Sequence, residues 1–133
     1  MRRGDLRMVA GLSEQLGYPV GADELLERFT SIIDREDHGL FVCPGSPGWV
    51  HVFGVTLLES EGYAEVGGLV VDQEFRRRGV GRILMLAAED WALEHGHGRI
   101  RLYSGAHRKE AYAFYPALGY QQPRPGMFQK RLK

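Results

Sequence analysis

The stretch from Tyr63 to Ser104 constrains the fold more than any other part of the chain. "YAEVGGLVV" ends in apolar residues without alternation, the pattern of a strand buried on both faces. Downstream, Val80, Ile83, Leu84, Ala87, Ala88 and Trp91 recur at helical spacing. At roughly 100° per residue they form one stripe, with Arg82 and Glu89 opposite. The spacing predicts a helix that ends near His95–Gly98, and "RIRLYS", Arg99 to Ser104, reads as the next strand. Strand, helix and strand in this order make a βαβ unit, hence a parallel pair with a right-handed crossover.

The flanks read less sharply. Leu6, Val9, Leu12 and Leu16 give a helical period over Asp5 to Leu16, stopped by Gly17 and Pro19. Leu25, Leu26, Phe29, Ile32 and Ile33 predict a second helix, Ala22 to Asp34. "GLFVCPG" and "GWVHVFGVTLLE" read as two strands around a Pro/Gly turn. Ala111, Phe114, Tyr115 and Leu118 predict a last helix, His107 to Leu118, with Gly119 as its C′ residue and a turn distorted by Pro116. Tyr120–Gln122 and Met127–Leu132 read as a closing hairpin.

A chain of 133 residues suits one domain, residues 1–133. Seventeen basic residues balance seventeen acidic ones, which argues against a global attraction to nucleic acid or membrane. Cys43 is the lone cysteine, so no internal disulfide exists; a reducing, cytoplasmic location is expected. Cys43 itself reads as a small buried hydrophobe. No apolar run reaches the ~20 residues of a membrane span, and the N-terminus lacks the apolar core of a signal peptide. No His/Cys/Asp/Glu cluster has metal-site spacing, and His95 and His97 read as helix C-terminal dipole partners. Arg99 and Arg101 alternate with Ile100 and Leu102, marking a wet or partner-facing side of the sheet; a homodimer stays open.

Against that neutral background the loop Arg76, Arg77, Arg78, Gly79, Val80, Gly81, Arg82 stands out. It could be a solvated charge run, a nucleic-acid patch or a phosphate loop. Its place decides among them: it joins a buried strand to a helix N-terminus, where free N–H groups and the positive dipole end converge. A phosphate or pyrophosphate fits there, and the glycines let it approach the backbone. Gly-Lys-Ser/Thr is absent, and so is the third glycine of the dinucleotide fingerprint.

"RRRGVG", Arg76 to Gly81, matches Arg/Gln-x-x-Gly-x-Gly/Ala, and "EAYAFYPALGY", Glu110 to Tyr120, matches Ala-x-x-Phe-Tyr-x-x-x-Gly-Phe/Tyr. In both motifs, and over about Trp49 to Lys133, the chain resembles the GNAT superfamily of N-acetyltransferases. The resemblance implies an α/β fold: a mixed, mostly antiparallel sheet with a splayed parallel pair, flanked by helices. Family members usually begin with a strand; only four residues precede Asp5, so that strand is short or missing, or the true start lies upstream. The resemblance also implies an acetyl-CoA site. Backbone groups of Leu69, Val70 and Val71 would hold the pantetheine arm as a short strand addition, and amides of Arg77 through Arg82 the pyrophosphate. An extended amide-bearing arm can satisfy the groups that a splayed pair leaves unpaired. Arg108 stands where many relatives carry Asn; it exchanges a side-chain amide for a guanidinium that can reach a phosphate.

The implied reaction is acetyl transfer from acetyl-CoA to an amine by direct attack, without metal. It requires a base, an oxyanion donor and an acid. Tyr115 is the expected acid, with a core aromatic as its plainer reading. Glu65 is the expected base, with a surface carboxylate as its plainer reading. A backbone N–H at a bulge in Leu69–Val71 is the expected oxyanion donor. A non-catalytic acyl-CoA-binding module is the alternative. The amine acceptor is not legible.

Overall fold

The computed structural model describes residues 1–45, 47–104 and 109–133. A 3-10 turn, Arg3–Asp5, leads into α1, Leu6–Gln15, and α2 follows at Ala22–Ile32. Three strands come next: β1 (His38–Val42), β2 (Gly48–Val55) and β3 (Tyr63–Val71). After α3 (Val80–Glu94) come β4 (Arg99–Tyr103), α4 (Ala111–Ala117), β5 (Gln121–Arg124) and β6 (Met127–Arg131). Gly17, at φ +83°, ends α1: Gly17 N–H donates to the Glu14 carbonyl and Tyr18 N–H to that of Ser13. The expected start of the last helix, His107 and Arg108, lies outside the described residues.

The strands form one six-stranded sheet in the order β1-β2-β3-β4-β6-β5. Every pairing is antiparallel except β3 with β4. The expected βαβ unit, the mixed sheet and its flanking helices are all present. Among the described residues no strand precedes α1; instead the Met1 amino group donates to the Leu40 carbonyl of β1 at 3.1 Å. The second strand is shorter than expected: β2 stops at Val55, and Leu57 and Leu58 are exposed. β5 keeps Pro123 because it is a fully exposed edge strand, where the missing N–H faces solvent. Among the described residues, no helix is long and apolar enough to cross a membrane.

Alternate residues of a strand point to opposite faces. One face presents Val50, Val52, Ala64, Val66, Ile100, Leu102 and Phe128 to α3 and α4, and this is the core. The other presents Leu40, Trp49 and His51 toward α1 and α2. The stripe of α3 differs from the expected one. Ile83 is 53% exposed, whereas Glu89, placed opposite the stripe by periodicity, is buried at 7%. The helix is rotated so that Leu84, Met85, Ala88 and Trp91 fill the core. Glu89 turns inward because two partners meet it. The Tyr120 hydroxyl donates to Glu89 Oε2 at 2.7 Å, and Lys130 Nζ to Oε1 at 3.1 Å. A purely hydrophobic period cannot register a carboxylate that is buried with its partners.

Candidate functional site

The site begins where the parallel pair comes apart. β3 and β4 pair at Ala64–Ile100, Glu65–Arg101 and Val66–Leu102, and no further. From Gly67 to Val71, β3 has β2 on one side and, among the described residues, no strand on the other. The peptide groups aimed at the missing neighbour form a short unpaired edge. A bulge sits at this point. His51 pairs with Gly68 and Val52 with Val66, leaving Gly67 as the extra residue. Such an insertion bends and twists the strand that carries it. The bulge therefore lies at Gly67, ahead of the expected Leu69–Val71.

Glycine is needed here for space. A Cβ on Gly68 would stand 2.7 Å from Trp49 Cη2, and one on Gly67 would stand 3.1 Å from His51 Nδ1. Both rings lie directly over the bulge. The pair of glycines inside a strand pattern was the available signal for this feature, since glycine there marks a bulge or a close approach.

The loop that follows is fixed at its entry. Asp72 Oδ1 accepts from the Glu74 N–H, and the Gln15 side chain bridges Asp72 and the Gln73 N–H, tying the loop to the end of α1. Arg77 then takes φ +64°, the one non-glycine with positive φ among the described residues, and Gly79 takes +82°. Left-handed conformations cost an L-residue roughly 1–2 kcal/mol and concentrate at functional sites. Turns of this kind can gather successive N–H groups into a concavity that binds anions. Among the described residues no acceptor meets the N–H groups of Arg77 through Arg82. These six amides open onto the N-terminus of α3.

The arginine side chains divide. Arg76 reaches Glu110 at 3.6 Å, and Arg78 lies over the Phe75 ring at 5.2 Å. Val80 is a core residue, packed toward Gly48, so only its backbone can serve a ligand. Gly81 faces α4: a Cβ there would stand 3.0 Å from Phe114 Cζ. Its absence lets α4 close on α3, a packing reason beyond ligand approach. Arg108 lies outside the described residues.

The unpaired edge and the loop share one open groove of about 1570 Å³. Leu69, Val70, Val71, Arg76, Arg77, Gly79, Gly81 and Arg82 line it, and Phe114 and Tyr115 form the facing wall. Tyr115 is 8% exposed, its ring packed against Phe114, Tyr120 and Phe128. Behind it, burial and the bond to Glu89 push the Tyr120 phenol well above its ordinary range, so it stays a donor.

Glu65 is not on that wall. It sits on the opposite sheet face from Ala64 and Val66, one residue before the last paired register, opposite Arg101. Partial burial raises its carboxyl above the ordinary value, against a smaller downward pull from Arg101. The two expected proton-handling groups thus flank the strand from opposite faces. On Glu65's face stands a pair that the sequence did not single out. His38 Nδ1 and His51 Nε2 are 2.8 Å apart, and burial, helped by the charge of His38, lowers His51 to about 4.

The chain thus combines a mixed sheet, one splayed parallel pair and a helix start with unbonded amides beside the splay. The sequence profile of the acetyltransferase (GNAT) family matches residues 13–120, and the chain belongs to this family. An uncharacterized N-acetyltransferase of Methanocaldococcus jannaschii is 32% identical over 99 residues, 71% of this chain. The chain spans only 44% of that relative's length. An uncharacterized N-acetyltransferase of Bacillus subtilis is 27% identical over 108 residues, covering 78% of this chain and 75% of the relative. Among solved structures, a putative acetyltransferase from Agrobacterium tumefaciens superposes with a TM-score of 0.81 at 24% identity, covering 95% of this chain and 93% of that one. The aminoglycoside N-acetyltransferase AAC(6')-Iy, solved with CoA, gives 0.80 at 21% identity, covering 93% and 86%.

Proposed function

We propose that the chain is an acetyl-CoA-dependent N-acetyltransferase that moves the acetyl group to a primary amine by direct attack in a ternary complex. The observation that carries this reading is the unpaired edge of β3 running into six consecutive free amides. That arrangement fits a ligand with an amide-bearing arm and a pyrophosphate. Leu69, Val70 and Val71 would pair with the arm, as a strand added to a sheet edge. The amides of Arg77 through Arg82 would hold the pyrophosphate, with Arg76, Arg77, Arg78, Arg82 and Arg108 supplying charge around it. The solved relative with CoA supports the choice of ligand.

Acetyl-CoA supplies an activated acetyl group and leaves as the CoA thiol. The chain's own residues have three tasks. A backbone N–H at the free edge of β3, near the Gly67 bulge, would stabilise the oxyanion. Glu65 would take the amine proton from the far face; its raised pKa keeps it a better base than an ordinary carboxylate. Tyr115 would donate to the departing thiolate from the groove wall. CoA release followed by thiol reagent across an amine panel tests the reading. Release that requires an amine supports it. Calorimetric CoA binding without release for any amine would favour the non-catalytic acyl-CoA-binding module. Absence of CoA binding would remove both.

A further inference from the structure

A second cavity, of about 440 Å³, lies between the α1–α2 pair and the sheet. Its walls are Val9, Leu25 and Phe29 from the helices and Leu40, Trp49 and His51 from the strands. It shares Ser13, Tyr18 and Trp49 with the long groove, so the two spaces adjoin. Its floor ends at the splay, because Trp49 and His51 are the rings that lie over Gly68 and Gly67. We propose that this cavity is the acceptor room and that it selects primary amines with an apolar aryl or alkyl body over polycationic or acidic acceptors. The proposal rests on the acetyl-transfer reading and names its substrate class.

The lining chemistry carries the choice. No carboxylate lines the cavity among the described residues. A polycation seated there would lose water from charges that meet no counter-ion, which is costly. An acid would fare no better: of the two cations at the wall, Arg28 lies 3.8 Å from Glu24 and the Met1 amino group donates to the Leu40 carbonyl. An aryl or alkyl body instead meets Leu25, Phe29, Leu40 and Trp49, and burial of such surface is favourable at about 25 cal/mol per Å². The volume falls within the range of small-ligand pockets, roughly 300–1,000 Å³. One end of the room is polar. His51 is held neutral by burial and by His38, and its Nδ1 faces the bulge. An amine whose body fills the cavity would carry its nitrogen toward that end, next to the free edge of β3.

The test compares kcat/KM for 2-phenylethylamine and hexylamine with that for spermidine, kanamycin and glutamate. The apolar amines should exceed the others at least tenfold, ~1.4 kcal/mol. Leu25→Trp, and Val20→Phe at another residue lining the cavity, should cut kcat/KM for 2-phenylethylamine at least tenfold while leaving calorimetric CoA affinity unchanged. Amide NMR shifts with 2-phenylethylamine should map to Leu25, Leu40 and Trp49 even if turnover is absent. Equal or better turnover of the charged amines, no effect of filling in a folded variant, or shifts mapping elsewhere would overturn the proposal with acetyl transfer left standing. Loss of CoA binding itself would instead strike the underlying reading.

Discussion

The two faces of the sheet are built differently. On the α3–α4 face, Val50, Val52, Ile100, Leu102 and Phe128 pack against Leu84, Met85 and Ala88, and Glu89, the one buried charge among the described residues, has two partners. The α1–α2 face keeps a cavity and carries polar groups: His38, His51, Glu65 and Arg101, with Arg101 4.1 Å above the Tyr63 ring. The first face is closed and sets the position of the groove wall. The second is open and can vary its occupant without disturbing the first.

The comparison breaks first if the closed face takes no part in chemistry. Tyr115→Phe keeps the ring against Phe128 but removes the proton. A phenol of ordinary pKa ~10 is protonated at neutral pH and can donate to a thiolate of pKa ~8.5. The expected outcome is a fall in kcat of ~10²-fold, with CoA affinity and melting temperature little changed. A matching loss of stability would make the hydroxyl structural; full activity would assign the proton to water.

Glu89→Leu tests whether that face is held by its buried network. The Tyr120 hydroxyl would lose its acceptor, while Lys130, half-buried, could turn to water. The expected loss is about 2 kcal/mol, below the full cost of breaking a buried pair. Urea unfolding with unchanged stability would show that the network is incidental.

Gly81→Val tests the seam between α3 and the groove. The added carbons would meet Phe114 and stand among the amides of the loop. CoA affinity should fall more than tenfold, ~1.4 kcal/mol, measured by calorimetry. Full affinity would remove the loop from the site.

The open face should show in the pH dependence of stability. His51 has a folded pKa near 4, below its ordinary 6.5. Between these values the unfolded chain binds more protons, so stability rises with pH and is lost as pH falls from 6.5 toward 4. Partial exposure reduces the contribution to about 1 kcal/mol. His97, also lowered, adds in the same direction. Glu65, raised, acts oppositely: its contribution is lost as pH rises past its ordinary value. His51→Gln should flatten the slope in denaturation curves from pH 7 to 4. An unaltered slope would show that the imidazole is solvated.

The smallest effect concerns Arg77. Proline cannot adopt φ +64°, so a proline there would combine lost donor with backbone distortion. Arg77→Gly relieves the left-handed strain and keeps the N–H. It should raise stability by about 1 kcal/mol and leave CoA affinity within ~3-fold, less than 1 kcal/mol. A larger loss of affinity would mean that the guanidinium itself holds the ligand.

Much of this was legible in the residues. The unbroken apolar end of β3, the arginine–glycine loop and the long helix required the βαβ unit, and two motifs pointed to the family. What escaped has physical reasons. Glu89 was placed outward because periodicity reads apolarity and cannot see Tyr120 and Lys130, which arrive from 31 and 41 residues away. The bulge was placed at Leu69–Val71 because its location depends on β2, whose Trp49 and His51 rings occupy the space beside Gly67 and Gly68. The cavity under α1 and α2 arises from how two helices settle on a sheet, which no local pattern encodes. Glu65 and Tyr115 both suit proton transfer, but only the sheet's alternation reveals that they stand on opposite faces.

The central claim is that one ligand spans the free edge of β3 and the loop at the start of α3. Amide hydrogen exchange with and without saturating CoA tests it most directly. The account predicts that exchange slows at least tenfold, ~1.4 kcal/mol, in two segments, 67–71 and 77–82, while β1 and β5 are unaffected. CoA bound by calorimetry without protection in both segments, or with protection concentrated under α1 and α2, would contradict it.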